Sequence, residues 1–363
     1  MSITQIYHTW QRKIQQLWPD ERVTRQRNMA WLLVGIFRGR SVHISEIASH
    51  IPGKAKLTSI TRRFERFLDN GKVRVRSWYE PVIKPILARA GADVGEIRLI
   101  IDGSKIGSGH QLLMVALAYR RRAIPVAWTW VRHRKGHSTT GKQQALLSYV
   151  RSLLSPDVPV LLVGDSEFGI IDVIRLIEGW GWHYVLRQKG SHLVSQSDED
   201  VWKPFRDLVQ KPGQSCWCPN VHLTGKFAHM TNVLAHWSIT EDDPWLLATN
   251  LPTYQLAIRA YRRRMWIEEL FGDLKRNGFD LESTHLKHFL RLSRLTLAVV
   301  LLYVWSLATG SNVIKRGQRH MVDRRSRRDL SIFRIGLRWI QRCITNDLTL
   351  SIRLAPIWHK TVG

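Results

Sequence analysis

Apolar residues recur every three or four positions through Ile3–Leu17, Asn28–Phe37, Ser45–His50 and Thr58–Leu68, with Pro19, Pro52 and Gly53 as breaks. A repeat near 3.6 residues punctuated by breakers predicts short amphipathic helices. From Glu96 the texture changes. The runs IRLIIDGSKIG, QLLMVALAYRR and AIPVAWTWVR are strand-like and joined by short turns, the pattern of an antiparallel meander. A helical stretch GKQQALLSYVRSLL, an apolar strand VPVLLVGD, a helix IIDVIRLIEGW and a strand HYVLRQK follow. Residues 191–250 hold short alternating runs such as VHLTGKFAHM, TNVLAHWSIT and WLLATN, which read as β-structure. A long helix is predicted from Gln255 to Arg276, with Gly278 at its end. A second apolar helix is predicted over Lys287–Leu307 and an amphipathic one over Leu330–Ile344.

Three strands, helix, strand, helix, strand is the element order of the RNase H-like (retroviral-integrase-like) α/β fold, and its helix–strand alternation favours parallel strands in the second half. The expected organisation is therefore a helical domain at 1–92, a first part of the core at 93–190, a β-strand insertion at 191–250, a second part of the core at 251–310 and a helical C-terminal region at 311–363. Within the first, HISEIASHIPGKAKLTSITRRFERFL has the outline of a helix-turn-helix. Ser45–His50 would support and Thr58–Phe67 would read, with Arg62, Arg63 and Arg66 outward against DNA. A plain helical bundle with a solvated basic face is the simpler explanation.

Charge strengthens the DNA reading. The net charge is +26, and an imbalance of this size asks for a polyanionic partner. Residues 1–92 carry 17 Lys/Arg against 6 Asp/Glu and residues 311–363 carry 12 against 3, whereas residues 191–250 carry 4 against 7. The surplus brackets the chain at both ends. The Arg324–Arg328 cluster in the last part suits DNA, a dimer interface or plain solvation. No lipidation signal or Lys-rich amphipathic anchor points to a membrane. The N-terminal stretch is too polar for a signal peptide, and the apolar run Leu295–Ala308 is too short to span a bilayer, so the expected location is cytoplasmic. Cys216 and Cys218 with His222 lack a second ligand pair for zinc.

The chemistry concentrates in YRRRMWIEELFGDLK. Tyr261, Arg264, Glu268 and Lys275 stand at offsets of 0, 3, 7 and 14, which a continuous helix places within an arc of about 60°. Ile267, Leu270, Phe271 and Leu274 fall on another sector. A solvated face with one i,i+4 ion pair would explain any single pair here. Two aspartates change the weighing. Asp102 is expected at the end of the strand RLIID and Asp165 at the end of VLLVGD, where side chains of an α/β sheet converge. Either alone reads as a turn or capping residue. Three carboxylates from separate elements suit two hard cations. Glu167, Asp172, Glu269 and Asp273 are nearby competing acids.

This constellation resembles the DDE transposases of cut-and-paste bacterial insertion sequences, of the insertion-sequence-four type. The Y-x2-R-x3-E-x6-K signature is met by Tyr261, Arg264, Glu268 and Lys275 without a gap, and the aspartates match through IIDGSKIG and LLVGDSEFG. The resemblance spans roughly residues 95–285. It implies two Mg2+ ions, with Mn2+ able to substitute, held by Asp102, Asp165 and Glu268. It implies cleavage at transposon ends, a hairpin intermediate and strand transfer to target DNA, by a homodimer in a synaptic complex on double-stranded DNA. Arg264 and Lys275 would hold phosphates, Tyr261 would contact end DNA, and Trp245 would support a base turned out of the stack, with Trp237 in reserve. A buried sheet tryptophan is the plainer account of Trp245. An RNase H-like nuclease or resolvase would share the carboxylates without the Tyr-Arg-Glu-Lys line. A domesticated, non-catalytic copy would lack a carboxylate, and all three are in place.

Overall fold

The chain was analysed as a computed structural model that describes residues 3–107, 109–132, 138–196 and 201–358. The helical spacing of the first ninety residues gives α1 (Ile3–Leu17), α2 (Val23–Gly39), α3 (Ile44–Ser49), α4 (Leu57–Asp69) and α5 (Val75–Val94). The last carries Pro81 and Pro85 inside it, which masks it in the sequence. Each interior proline costs about 3 kcal/mol. Burial of Trp78, Tyr79, Val82, Ile83, Ile86 and Leu87 along one stripe, worth about 1.5–3 kcal/mol each, outweighs that cost.

Next come β1 (Ile97–Ile106), β2 (His110–Tyr119), β3 (Arg122–Arg132), α6 (Thr140–Ser152), β4 (Val160–Gly164), α7 (Ile171–Glu178) and β5 (His183–Arg187). The expected order of strands and helices is met in this stretch. β6 (Leu193–Ser195), β7 (Lys203–Pro204), β8 (Ser215–Leu223), β9 (His229–His236) and β10 (Trp245–Thr249) follow. The run VHLTGKFAHM is not one strand: it spans the end of β8 and the start of β9. Thr224 (φ 61°) and Ala228 (φ 41°) carry the turn between them.

All these strands form one ten-stranded mixed sheet in the order β3-β2-β1-β4-β5-β10-β9-β8-β6-β7. β1 pairs parallel with β4, and β4 with β5. β10 then runs antiparallel to β5 and to β9. The strands after residue 191 thus continue the sheet past β5. This covers the open edge that β5 would otherwise present.

α8 (Tyr254–Tyr261), α9 (Met265–Leu274), α10 (Phe289–Lys315) and α11 (Ile332–Thr345) complete the chain. The continuous helix expected from Gln255 to Arg276 is not formed. A 3-10 turn at Arg262–Arg264 separates α8 from α9, and α9 stops at Leu274. α10 is longer than the apolar run that announced it. At 27 residues it is long and apolar enough to cross a membrane, yet 89% of its most apolar window is buried by the protein.

The chain divides into two compact units. One comprises Met1–Asp93, Lys105–His110 and Phe271–Gly363, and the other Val94–Ser104 and Gln111–Leu270. In the helical unit α10 packs against α2, α4 and α11. Arg294, buried in α10, donates to the Leu68 carbonyl (2.7 Å) and the Val73 carbonyl (3.0 Å), satisfying acceptors at and beyond the end of α4. α10 and α11 meet backbone to backbone: a Cβ on Gly336 would lie 1.7 Å from the Ser306 carbonyl oxygen. α11 is capped by Ser331, whose hydroxyl accepts the Arg334 N–H at 3.2 Å. Ser331→Ala is expected to cost about 1 kcal/mol, read as a lower urea midpoint with an unchanged slope.

Candidate active site

The parallel register of β1 and β4 ends with Ile101 opposite Gly164, so Asp102 and Asp165 each occupy the next position along. Asp165 follows the last residue of β4, as expected. Asp102 does not end its strand, because β1 runs on to Ile106. It sits where pairing with β4 stops, so the side chain is aimed from inside a strand. Asp102 is only 7% exposed, and its Oδ1 accepts the Gly103 N–H at 2.7 Å. Gly103 leaves room for the Gln111 side chain: a Cβ there would fall 2.1 Å from its amide nitrogen, which would have to move aside.

Burial first, then the Asp165 carboxylate, push the Asp102 pKa up to about 7. Arg264 and the Gly103 N–H oppose the rise, and Glu268 adds to it. Burial also raises Asp165, against its hydrogen bond from the Glu167 N–H (2.9 Å) and the Arg264 charge.

The broken helix supplies the other members. A 3-10 turn advances about 120° per residue rather than 100°, so the halves on either side are re-aimed. α8 packs against β4 and β5 and buries Tyr261 at 3% exposure. Its ring meets Trp245 edge-on at 5.1 Å. The Tyr261 hydroxyl is buried and makes no well-formed hydrogen bond among the described residues. Burial lifts its pKa to about 12, against Arg264 and Arg187. Tyr261 is therefore a wall of the site and not a member of an exposed polar line.

Arg264 reaches between two acids. Its Nη1 lies 3.3 Å from Asp102 Oδ2, and its Nη2 donates to Glu268 one turn on. Burial tends to lower its pKa, but Tyr261, Asp102, Glu268 and Asp165 together raise it. Glu268 is the accessible member, with its side chain 43% exposed.

The structure thus gathers Asp102, Asp165, Arg264 and Glu268, with Tyr261 and Trp245 alongside. Lys275 lies past the end of α9 in the helical unit, where its ammonium donates to the Lys105 carbonyl (2.8 Å) and is 3.6 Å from Glu282. Trp237 donates its indole N–H to the Glu241 carbonyl at 3.0 Å. On α4, Arg62 and Arg66 are exposed as expected, but Arg63 is not outward. It stands three residues after Ile60 and four before Phe67, at the border of the buried stripe, and its guanidinium folds over the Phe64 ring at 5.2 Å.

The competing acids are occupied elsewhere. Glu269 pairs with Arg122 at 2.9 Å, and Asp172 lies in the first turn of α7. Asp273 is buried in the helical unit. Glu167 has a part that the sequence reading missed. Its carboxylate accepts the Ser138 N–H at 2.6 Å and the Gln111 amide at 3.2 Å, and Gln143 bonds the Ser138 hydroxyl at 3.0 Å. This network braces the β4 turn against β2. Its one sequence signal was an acid two residues after Asp165. Cys216 and Cys218 face each other at 3.5 Å, while His222 is turned to the Ala228 carbonyl.

Among the described residues, no three His, Cys, Asp or Glu side chains are drawn together tightly enough to hold a metal ion as they stand. Arg264 instead supplies the positive charge between Asp102 and Glu268. The donor chemistry nonetheless fits a hard divalent cation: three carboxylates, one of them buried and raised in pKa first by that burial and then by the neighbouring Asp165.

A mixed sheet that presents two acids from adjacent parallel strands and a third from a helix defines an acid-centred α/β enzyme core. Residues 96–305 match the family described as Transposase DDE domain, and the chain belongs to that family. It is similar in fold to the piggyBac transposase in a cryo-EM structure of its synaptic complex with hairpin DNA. That likeness has 10% identity and a TM-score of 0.40, over 96% of this chain and 83% of that one. No curated protein matches the chain in sequence.

Proposed function

We propose that this transposase has an RNase H-like core and moves an insertion sequence by cut-and-paste, through cleavage at the element's ends, hairpin formation and strand transfer. The observation that carries the reading is the arrangement of Asp102, Arg264 and Glu268 beside Asp165, with Asp102 buried and its pKa near 7. Asp102, Asp165 and Glu268 are the residues that would hold two Mg2+ ions. Divalent cations bound there activate an attacking oxygen and stabilise the leaving one in an in-line displacement. The planar Arg264 fork suits bidentate contact with a phosphate and is released for it once the acids are otherwise neutralised. Tyr261 and Trp245 form an aromatic wall beside these groups, which supports a stacking role for Trp245 toward a base turned out of the duplex. Lys275 is a second phosphate contact in this reading, and Arg62 and Arg66 on α4 hold the end duplex. A homodimer pairing two ends is the working assembly.

The test uses labelled duplexes that carry the inverted repeats flanking the coding region, a target plasmid and Mg2+. Nicked ends, a hairpin that migrates anomalously on a denaturing gel and joined products are expected. No cleavage of those ends would remove the enzymatic reading. Cleavage without joined product would favour a nuclease or resolvase.

A further inference from the structure

α11 presents a second cationic face that the active site does not use. Arg334, Arg338 and Arg342 follow one another at intervals of four, and all three are exposed. A helix places such residues about 6 Å apart along its axis and within an arc of about 80°. The opposite face is fully committed: Ile332, Phe333, Ile335, Leu337, Ile340 and Ile344 are buried. Close packing at Gly310 and Gly336 fixes α11 on α10, because a Cβ on either glycine would collide with backbone of the other helix. The arginine line therefore cannot turn inward.

Among the described residues nothing neutralises it. Among the described residues none of the three arginines has an ion pair, and α11 contains no Asp or Glu. The two acids just before the helix are already used, Asp323 by Arg319 and Asp329 by Arg327. Like charges are crowded further by Arg40, whose pKa is lowered to about 10 by burial and by Arg334. The Arg338 guanidinium also reaches the Val322 carbonyl at 3.4 Å, tying the line to the segment that carries Arg324 and Arg325.

We infer that this face of α11 binds the phosphate backbone of duplex DNA, as a contact surface separate from the carboxylate site. Over the roughly 12 Å from Arg334 to Arg342 a duplex presents about seven phosphates, enough for each guanidinium to find one. Contacts from these guanidiniums to phosphate oxygens fix position along the duplex and carry no sequence information. The inference rests on the proposed function only in that the partner is DNA.

The experiment measures binding of a fluorescein-labelled duplex of arbitrary sequence by anisotropy, over salt from about 50 to about 200 mM. It compares the full-length wild type with the triple variant Arg334→Gln, Arg338→Gln, Arg342→Gln and with the corresponding triple lysine variant. The slope of log K against log salt is expected to become shallower by about 0.9 for each lost phosphate contact, about 2.7 in the glutamine variant. The lysine variant should keep the wild-type slope. Equal slopes for wild type and a folded glutamine variant would overturn the inference. So would a glutamine variant that changes only its sedimentation from dimer to monomer, which would make the face an interface between copies. A wild type that binds this duplex with the expected slope change yet never cuts end DNA would leave the α11 surface standing and remove the active-site reading.

Discussion

Asp102→Asn is expected to lower cleavage of end DNA by on the order of a thousandfold, while making the protein more stable in EDTA at pH 8. On the proposed function, the first effect follows because Asp102 would be a charged ligand of cations that contribute several kcal/mol to the transition state, and about 4 kcal/mol is a thousandfold in rate. The second follows from burial. A carboxyl group moved from its ordinary value of 3.8 to about 7 is a group the fold would rather keep neutral. Its folded pKa lies above its unfolded one. Its contribution is therefore fully present below the unfolded pKa and is lost as pH rises through 7. At about 1.4 kcal/mol per unit the loss has an upper bound of about 4 kcal/mol, reduced by the Arg264 pairing that Asn also forfeits. Wild type and variant should have similar melting temperatures only below about pH 4, begin to separate as pH rises above the unfolded pKa, and differ by a few degrees at pH 8. Adding Mg2+ should raise the wild-type value and close that gap, because the cation binds only the folded acid site. Unchanged cleavage by the variant would remove Asp102 from the site. A variant that melts below wild type at pH 8 would contradict the burial argument.

Much of this was legible in the chain because each feature has a local cause. Asp102 and Asp165 follow apolar runs of the right length to be strands; Asp165 follows β4 as expected, whereas β1 runs on past Asp102 to Ile106 and only its pairing with β4 stops there. Glu269 lies about 100° round the helix from Glu268, and the structure sends it to Arg122. What escaped was set by tertiary packing. The 3-10 turn at Arg262–Arg264 has no breaker in sequence; it lies between Tyr261, which packs on Trp245, and α9, with Arg264 turned toward Asp102. α5 was hidden by two prolines whose cost only a buried stripe outweighs. Arg63 was assigned to the wrong face because a residue at the border of an apolar stripe can fold either way until its neighbours are known. The Glu167 network joins residues from β2, the turn after β4 and the start of α6, separations over which pattern carries no information.

Arg264→Gln separates the electrostatic role of Arg264 from the phosphate contact proposed for it. With the guanidinium gone, Asp102 loses the cation 3.3 Å away that opposes its upward shift, and Glu268 loses its i,i+4 partner. Both partners of the Asp102–Arg264 pair are mostly buried, so breaking it leaves a buried charge uncompensated; Asp102 can take up a proton instead, which limits the cost at pH 8, one unit above its pKa of about 7, to about 1.4 kcal/mol. The sign of its pH dependence is fixed. The Asp102 pKa moves further above 7, so destabilisation grows as pH rises through that value and disappears toward pH 5, where the carboxyl is protonated in either protein. Asp102→Asn in the same background should therefore restore stability at pH 8. Cleavage should fall by about a hundredfold to a thousandfold, since a bidentate phosphate contact held in a partly buried site is lost and Gln cannot replace its charge. Arg264→Lys should recover much of the stability but little of the cleavage, because a point charge can sit between Asp102 and Glu268 but cannot fork onto a phosphate. The decisive measurements are thermal melting of the three variants across pH and single-turnover cleavage of pre-bound end DNA. If Arg264→Lys cleaves like wild type, the guanidinium fork has no role in the reaction and Arg264 is only the counter-ion of the acids.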